Sequence, residues 1–327
     1  MTSLELETQT AIEFLENFNP DSIKEFVSKI KPPVLLAAMG SSYYLPFGRT
    51  ASIIKDPDTK AKIDFVFASE AETVISQNWN SLVLISNSGK TREIINFGKK
   101  FPRGKLFAVT SDSKSELAQL TQNVYKLKSG KETAVAATKS IIEQSVFCEC
   151  LLRFLEGSPM LSREKLKQVA QAMKYNLSLP IDNKLLVFIA GAKTVYFAGG
   201  SCGIGEEVAL KFCELGKKKA RFVPGTQILH GPEEVIERGD LVFLLFADRY
   251  SDYFDRFKQM KEKTGAHFVL LGKKNGLSDV VADLKLVKGY ESYCILAYFW
   301  NILTRFALVK GYSLDKGEKI SKVGVSV

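Results

Sequence analysis

The sequence predicts an α/β protein made of two tandem doubly wound parallel-sheet domains and a C-terminal tail. Two observations predict it. Continuous apolar runs alternate with segments of helical periodicity, the pattern of parallel strands buried on both faces. The alternation also occurs twice, with the two copies about 160 residues apart. Val34 to Met39 is an apolar strand ending in Gly40-Ser41-Ser42, and it is echoed by Val195-Tyr196-Phe197-Ala198 ending in Gly199-Gly200-Ser201-Cys202. Leu82-Val83-Leu84-Ile85 is echoed by Leu241 to Phe246, and Lys105 to Thr110 by His267 to Leu271. Each third strand is followed by a helical segment, Ser115 to Thr121 or Leu277 to Ala282. A short strand comes next, Val124 to Leu127 or Leu284 to Val287. Each half then closes on a long apolar helix, Ala134 to Phe154 or Glu291 to Val309. The resulting division is an N-terminal helical segment over 1–30, a first domain over 31–157 and a helical linker over 158–184. A second domain over 185–311 and a tail over 312–327 complete it. The linker's charged stretch runs from Ser162 to Asn176.

A chain of 327 residues with 46% hydrophobic and 25% charged residues can bury a substantial core. The formal charge of +9 favours anionic ligands, but the lysines and arginines are dispersed. The longest basic run, Lys217-Lys218-Lys219, reads as a solvated face, and no nucleic-acid partner is expected. The five cysteines show no framework spacing, and Cys148 and Cys150 stand two apart on a helix, facing different sides. With only two histidines, His230 and His267, neither a metal nor another cofactor is expected. Met1 to Phe18 is acidic and amphipathic, unlike a signal peptide. Tyr293 to Leu308 is apolar but interrupted by Asn301 and Arg305, so it reads as a buried or interface helix and no membrane partner is expected. The expected compartment is a reducing cytoplasm.

The chemistry concentrates at Ser86-Asn87-Ser88-Gly89-Lys90-Thr91, between the strand Leu82–Ile85 and the helical segment Arg92 to Phe97. A strand that stops at small hydroxyl residues and a glycine, then turns into a helix, collects N–H and O–H donors near a partial positive charge. That arrangement suits a phosphate monoester, and equally a polar turn capped by Ser or Thr. In a doubly wound sheet, ligands sit beyond the carboxyl ends of the strands, so Gly40-Ser41-Ser42 and the Ser86 loop are expected to converge. The second-half counterpart, Ala247-Asp248-Arg249-Tyr250, has no such cradle.

With these residues in view, the chain resembles the sugar isomerase (SIS) domain family. It is similar to the two-domain kind found in the isomerase half of glucosamine-6-phosphate synthase and in stand-alone sugar-phosphate deaminases and deglycases. Five motifs carry the resemblance in order: Gly40-Ser41-Ser42, the Ser86–Thr91 loop, Glu132 to Lys139, Leu210 to Glu214 followed by His230-Gly231-Pro232, and Ile320-Ser321-Lys322 with the residues to Val327. The resemblance implies that Gly40, Ser41, Ser42, Ser86, Asn87, Ser88 and Thr91 hold the phosphate. It implies that Val135, Ala137 and Lys211 line the sugar. Glu214 would move a proton between C1 and C2, His230 would open the ring, and Lys322 would engage the open-chain carbonyl. A homodimer that shares its active site through the histidine is implied as well.

The chemistry needs such groups: an imidazole near the ring oxygen, one carboxylate reaching both carbons, and a lysine able to hold a ketose as an imine. Taken singly, the same residues have plainer readings. Glu214 also fits a solvent-facing helix position, His230 a turn or core histidine, Lys322 a frayed tail, and Lys211 a surface i,i+3 pair with Glu214. Asn87, Lys90, Ala137 and Gln227 depart from the glutamine, glutamate, serine and glutamate of the synthase pattern, which points away from a strict synthase. With Thr2 in place of a nucleophilic cysteine and a first domain starting within 40 residues, no glutaminase is expected. The expected activity is therefore conversion of glucosamine 6-phosphate and water to fructose 6-phosphate and ammonia. The alternatives are an aldose–ketose phosphate isomerase, a fructosamine-6-phosphate deglycase, and a sugar-phosphate sensor without turnover.

Overall fold

The computed structural model describes residues 1–54, 57–60, 62–73, 78–271 and 276–319. Lys322 and the motif from Ile320 to Val327 lie outside the described residues. The chain divides into two compact units: unit 1 is residues 1–171 with 315–319 of the described tail, and unit 2 is residues 172–314.

Unit 1 starts with α1 (Ser3–Asn17), capped by a reciprocal pair in which Thr2 Oγ1 accepts from the Glu5 N–H while the Glu5 carboxylate accepts from the Thr2 N–H. Its elements continue as α2 (Lys24–Val27), β1 (Val34–Ala38), α3 (Ser41–Ile53), α4 (Pro57–Lys60), β2 (Ile63–Phe67), β3 (Ser81–Ile85), α5 (Arg92–Lys99), β4 (Leu106–Thr110), β5 (Val124–Lys126) and α6 (Lys139–Leu155). All strand pairs are parallel, in the order β2-β1-β3-β4-β5. β1, β3 and β4 are buried at every position. One face, through Leu35, Ala37, Leu82, Leu84, Leu106 and Ala108, packs on Ile94 and Phe97 of α5. On the other face Phe107 meets Phe26, which meets Phe147 of α6. Burial on both faces is why these strands read as unbroken apolar runs. Strand order reverses between β1 and β3, and their carboxyl ends therefore border the crevice where such sheets take ligands.

Unit 2 repeats the plan. After α7 (Arg163–Ser178), within which the division falls, come α8 (Asn183–Gly191), β6 (Thr194–Gly199), α9 (Ile204–Glu214), β7 (Lys219–Pro224), β8 (Leu241–Leu245), α10 (Phe254–Thr264), β9 (His267–Leu271), β10 (Val280–Ala282) and α11 (Glu291–Lys310). The parallel sheet has the order β7-β6-β8-β9-β10, which is the order of unit 1 element for element. Tyr196, Ala198, Val242, Leu244, Phe268 and Leu270 pack on Phe257 and Met260 of α10. Phe299 of α11 sits edge-on to Phe197 and Phe243 of the opposite face.

Several expected elements move. The segment Leu277–Ala282 is not helical: Val280 to Ala282 form β10, in register with Val269 to Leu271. Leu284 to Val287 is not a strand, because the N–H and C=O of Lys285 are taken by the Asn176 side chain at 2.9 Å each. Only Ala118–Leu120 of the segment Ser115–Thr121 turns helically, as a single 3₁₀ turn, while the Leu117 N–H is drawn to the Gly89 carbonyl. The helix expected from Ala134 begins at Lys139, since buried carboxylates hold the residues before it. Nor is the lysine run a solvated face. Lys218 Nζ donates to the carbonyls of Ala190 and Ala192 at the end of α8, and Lys217 Nζ lies 4.2 Å from the centre of the Tyr312 ring.

Candidate active site

The Ser86–Thr91 loop leaves the buried end of β3 and turns into α5. Gly89 closes the turn with φ +62°, and its N–H reaches the carbonyl and the Oγ of Ser86 at 3.1 and 3.2 Å. A Cβ there would lie 2.1 Å from Ser115 Oγ and 2.8 Å from Thr110 Oγ1, so both conformation and space demand glycine. Ser86 Oγ and Thr91 Oγ1 are 2.9 Å apart, and the Lys90 N–H donates to Ser88 Oγ at 3.2 Å. The Asn87 carbonyl accepts from Thr110 Oγ1 and Ser111 Oγ at the end of β4. The result is a rigid loop whose half-buried residues, Asn87, Ser88 and Thr91, are polar. Gly40, Ser41 and Ser42 open α3 at the end of β1, the strand beside β3, and they too are half-buried. The first turn of α3 carries no acid. Unit 1 therefore carries all seven residues expected to hold a phosphate just beyond the carboxyl ends of two neighbouring strands.

The sugar-lining segment is tied to this loop. Glu132, 4% exposed, accepts from Thr138 N at 2.6 Å, Ser140 N at 3.1 Å, Ser140 Oγ at 2.8 Å and Asn87 Nδ2 at 3.2 Å. Glu7 of α1, equally buried, accepts from Thr133 N, Thr133 Oγ1, Ala134 N and Thr138 Oγ1. Glu132 so satisfies the N–H groups of Thr138 and Ser140 at the start of α6, and Glu7 those of Thr133 and Ala134 in the segment before it. The segment between them alternates, with Ala134, Ala136 and Thr138 buried and Val135 and Ala137 half-buried. This alternation leaves Val135 and Ala137 the accessible pair.

On α9 of unit 2, Lys211 is completely buried, with its Nζ 2.7 Å from Glu214 Oε2 and 3.2 Å from Glu207 Oε1. The surface pair expected from the i,i+3 spacing is thus a core ion pair with a second, fully buried carboxylate. Burial disfavours the ammonium, yet Glu207 and Glu214 more than offset that and hold its pKa above the ordinary lysine range. Glu214, at the last turn of α9, is half-buried, so a carboxylate reachable by ligand is held by a charge that is not. His230 ends the 3₁₀ turn Gln227–Leu229 and is exposed; it is no core histidine. Among the described residues, no cluster of three or more His, Cys, Asp or Glu side chains is placed to hold a metal ion.

Comparison with known proteins gives this arrangement a context. No family model matches the chain. A glutamine–fructose-6-phosphate aminotransferase (isomerizing) of Sulfurisphaera tokodaii is 24% identical over 270 residues, covering 79% of this chain and 44% of its own length. The chain thus spans about half the length of the curated relatives it matches. Among solved structures, the C-terminal domain of glucosamine-fructose-6-phosphate aminotransferase from Francisella tularensis superposes with a TM-score of 0.76 at 18% identity, covering 96% of each chain. A glucosamine-6-phosphate deaminase from Thermotoga maritima gives 0.70 at 20% identity, covering 97% of this chain and 99% of its own. The chain has the sugar isomerase fold.

Within that fold, three carboxylates were not singled out as functional from the sequence: Glu7, Glu132 and Glu207. Glu207 carried a signal, since it stands four residues before Lys211 on a helix whose buried face includes Val208 and Phe212. Glu7 carried little, as it looks like one more acid on an amphipathic helix. Its partners Thr133, Ala134 and Thr138 lie more than 120 residues away in the chain.

Proposed function

We propose that the protein is an enzyme of the sugar isomerase kind that acts on a phosphorylated amino sugar, as a glucosamine-6-phosphate deaminase. The observation that carries this reading is the hydroxyl-lined loop at the β1/β3 reversal, locked by Gly89 and joined through Asn87–Glu132 to the segment bearing Val135 and Ala137. Ser86, Ser88, Thr91 and the Gly40–Ser42 turn would take the phosphate of the substrate. Val135 and Ala137 would border the sugar.

In this reading His230, whose imidazole is exposed, opens the pyranose ring across a homodimer interface. Glu214 takes the C2 proton and returns it at C1. Lys211 Nζ engages Oε2 of that carboxylate, which leaves Oε1 for the proton. Lys211 then acts on the sugar through Glu214. Water adds to the resulting C2 imine, and the C–N bond breaks to release ammonia and fructose 6-phosphate. Lys322 would engage the open-chain carbonyl. The two SIS-like domains of this reading are 31–157 and 185–311, with the tail from 312 completing the site. A glucosamine-6-phosphate deaminase is among the solved structures that the chain matches over nearly the whole of both chains, which supports this reading at the level of the fold.

The test is incubation with glucosamine 6-phosphate while fructose 6-phosphate and ammonia are followed together. Equimolar release of both is the expected result. Neither product from glucosamine 6-phosphate, with interconversion of a neutral aldose and ketose phosphate instead, would replace the deaminase by an aldose–ketose isomerase, and binding without turnover would replace the enzyme by a sensor.

A further inference from the structure

Asn87 stands in the middle of the anion loop, where a side-chain amide would ordinarily be read as one more donor to a phosphate. Its surroundings assign it differently. Glu132 Oε2 lies 3.2 Å from the Asn87 nitrogen, and a carboxylate engaged by Thr138 N, Ser140 N and Ser140 Oγ faces its partners as an acceptor. The amide must therefore turn its NH₂ group toward Glu132, which settles which end is oxygen. Asn87 Oδ1 then has no hydrogen-bond partner among the described residues, although the atom is buried. The backbone carbonyl of the same residue is fixed by Thr110 Oγ1 at 3.1 Å and Ser111 Oγ at 2.7 Å, which holds the backbone that carries the side chain.

A buried amide oxygen without a donor is a site waiting for one. A phosphate dianion carries only acceptor oxygens and would be repelled by it. A sugar hydroxyl or amino group is a donor and fits. Resting on the reading of this loop as a sugar-phosphate site, we propose that Asn87 is a specificity-determining residue that accepts a hydrogen bond from a hydroxyl or amino group of the sugar. Glu132 is the positioning residue that holds the amide in that sense. Asn87 thus leaves the phosphate set expected from its place in the loop, and Ser86, Ser88 and Thr91 remain.

The experiment compares two probes, glucosamine 6-phosphate and inorganic phosphate, by titration calorimetry on the full chain. In Asn87→Ala the affinity for glucosamine 6-phosphate should fall about five- to tenfold, the worth of one neutral hydrogen bond, while that for inorganic phosphate stays within about twofold. Glu132→Gln, whose amide can donate and so release the Asn87 flip, should lower the same affinity ratio. Glu132→Asp should restore part of it, which a general loss of packing would not produce. Equal losses for both probes, or a loss confined to inorganic phosphate, would overturn the inference and return Asn87 to the phosphate. Binding of neither probe by the wild-type chain would overturn the site reading itself and the inference with it. Should Asn87→Ala fail to fold, the Glu132→Gln ratio decides alone.

Discussion

At the carboxyl ends of β1 and β3, unit 1 presents Ser86, Ser88 and Thr91 around a glycine turn; at the carboxyl ends of β6 and β8, unit 2 presents its own side chains to itself. The two sheets have the same strand order, so the crevice exists twice by topology. In unit 2 the side chains there pair with one another. Ser201 Oγ donates to Glu206 Oε2 at 2.6 Å, placing a carboxylate at the start of α9 where unit 1 has no acid. Phe246 takes a left-handed conformation, with the Arg249 guanidinium 4.3 Å from its ring centre. Tyr250 reaches within 3.2 Å of where a Cβ on Gly199 would be. One scaffold carries a hydroxyl-lined loop in one half and a loop paired with its own side chains in the other, because the strands set only the place and the loop residues set the chemistry.

The comparison can be broken or sharpened by experiment. The largest effect is expected in unit 2, where Glu214→Gln should lower turnover by about 10²–10⁴-fold with substrate affinity little changed. Near-wild-type turnover in that variant would remove unit 2 from the chemistry. Next comes Lys211→Met, which leaves Glu207 buried without its cation. A loss of about 3–5 kcal/mol in denaturant unfolding is expected, and a neutral result would show that the pair contributes nothing net. Gly89→Ala and Gly199→Ala make a matched pair. A Cβ at Gly89 meets Ser115 Oγ at 2.1 Å and one at Gly199 meets the Leu245 carbonyl at 2.3 Å, both at positive φ. Each should cost about 2 kcal/mol or more of stability, while only Gly89→Ala weakens phosphate binding. Equal binding losses would erase the distinction between the halves.

The remaining effect is with pH. Burial pushes the Cys148 thiol of α6 above its ordinary 9.0 and Cys150 up to about 12, while Lys211 of α9 is held above its ordinary 10.5. A raised folded-state pKa contributes stability that is complete below the unfolded value and is lost as pH rises through the folded one. The cysteines of unit 1 should therefore begin to erode stability above about pH 9, by about 1.4 kcal/mol per pH unit for each group, whereas the Lys211 pair holds beyond pH 10. Calorimetric melting from pH 8 to 11 checks this. Cys148→Ala should flatten the slope that starts near pH 9, and an unchanged slope would assign it elsewhere.

What can be read from the chain without its structure follows from locality. Strands buried on both faces are continuous apolar runs, so β1, β3, β4, β6, β8 and β9 are legible, as is α11 with its unbroken apolar face. The anion loop is legible for the same reason, since its glycine and hydroxyls are neighbours in sequence. β10 and the start of α6 are not. The first depends on which three residues find a partner strand, and the second on carboxylates arriving from Glu7 and Glu132.

By itself, then, the sequence determined the repeated α/β plan, the strand cores and the place of the hydroxyl loop, all written in contiguous residues. Only the tertiary structure decided that Lys211 lies buried between Glu207 and Glu214, that Glu206 pairs with Ser201 at the start of α9, and that Glu132 orients Asn87. The physical reason is that an acid looks the same in sequence whether it meets water or a donor. Burial and the geometry of its partners, often contributed by distant segments, settle what it does.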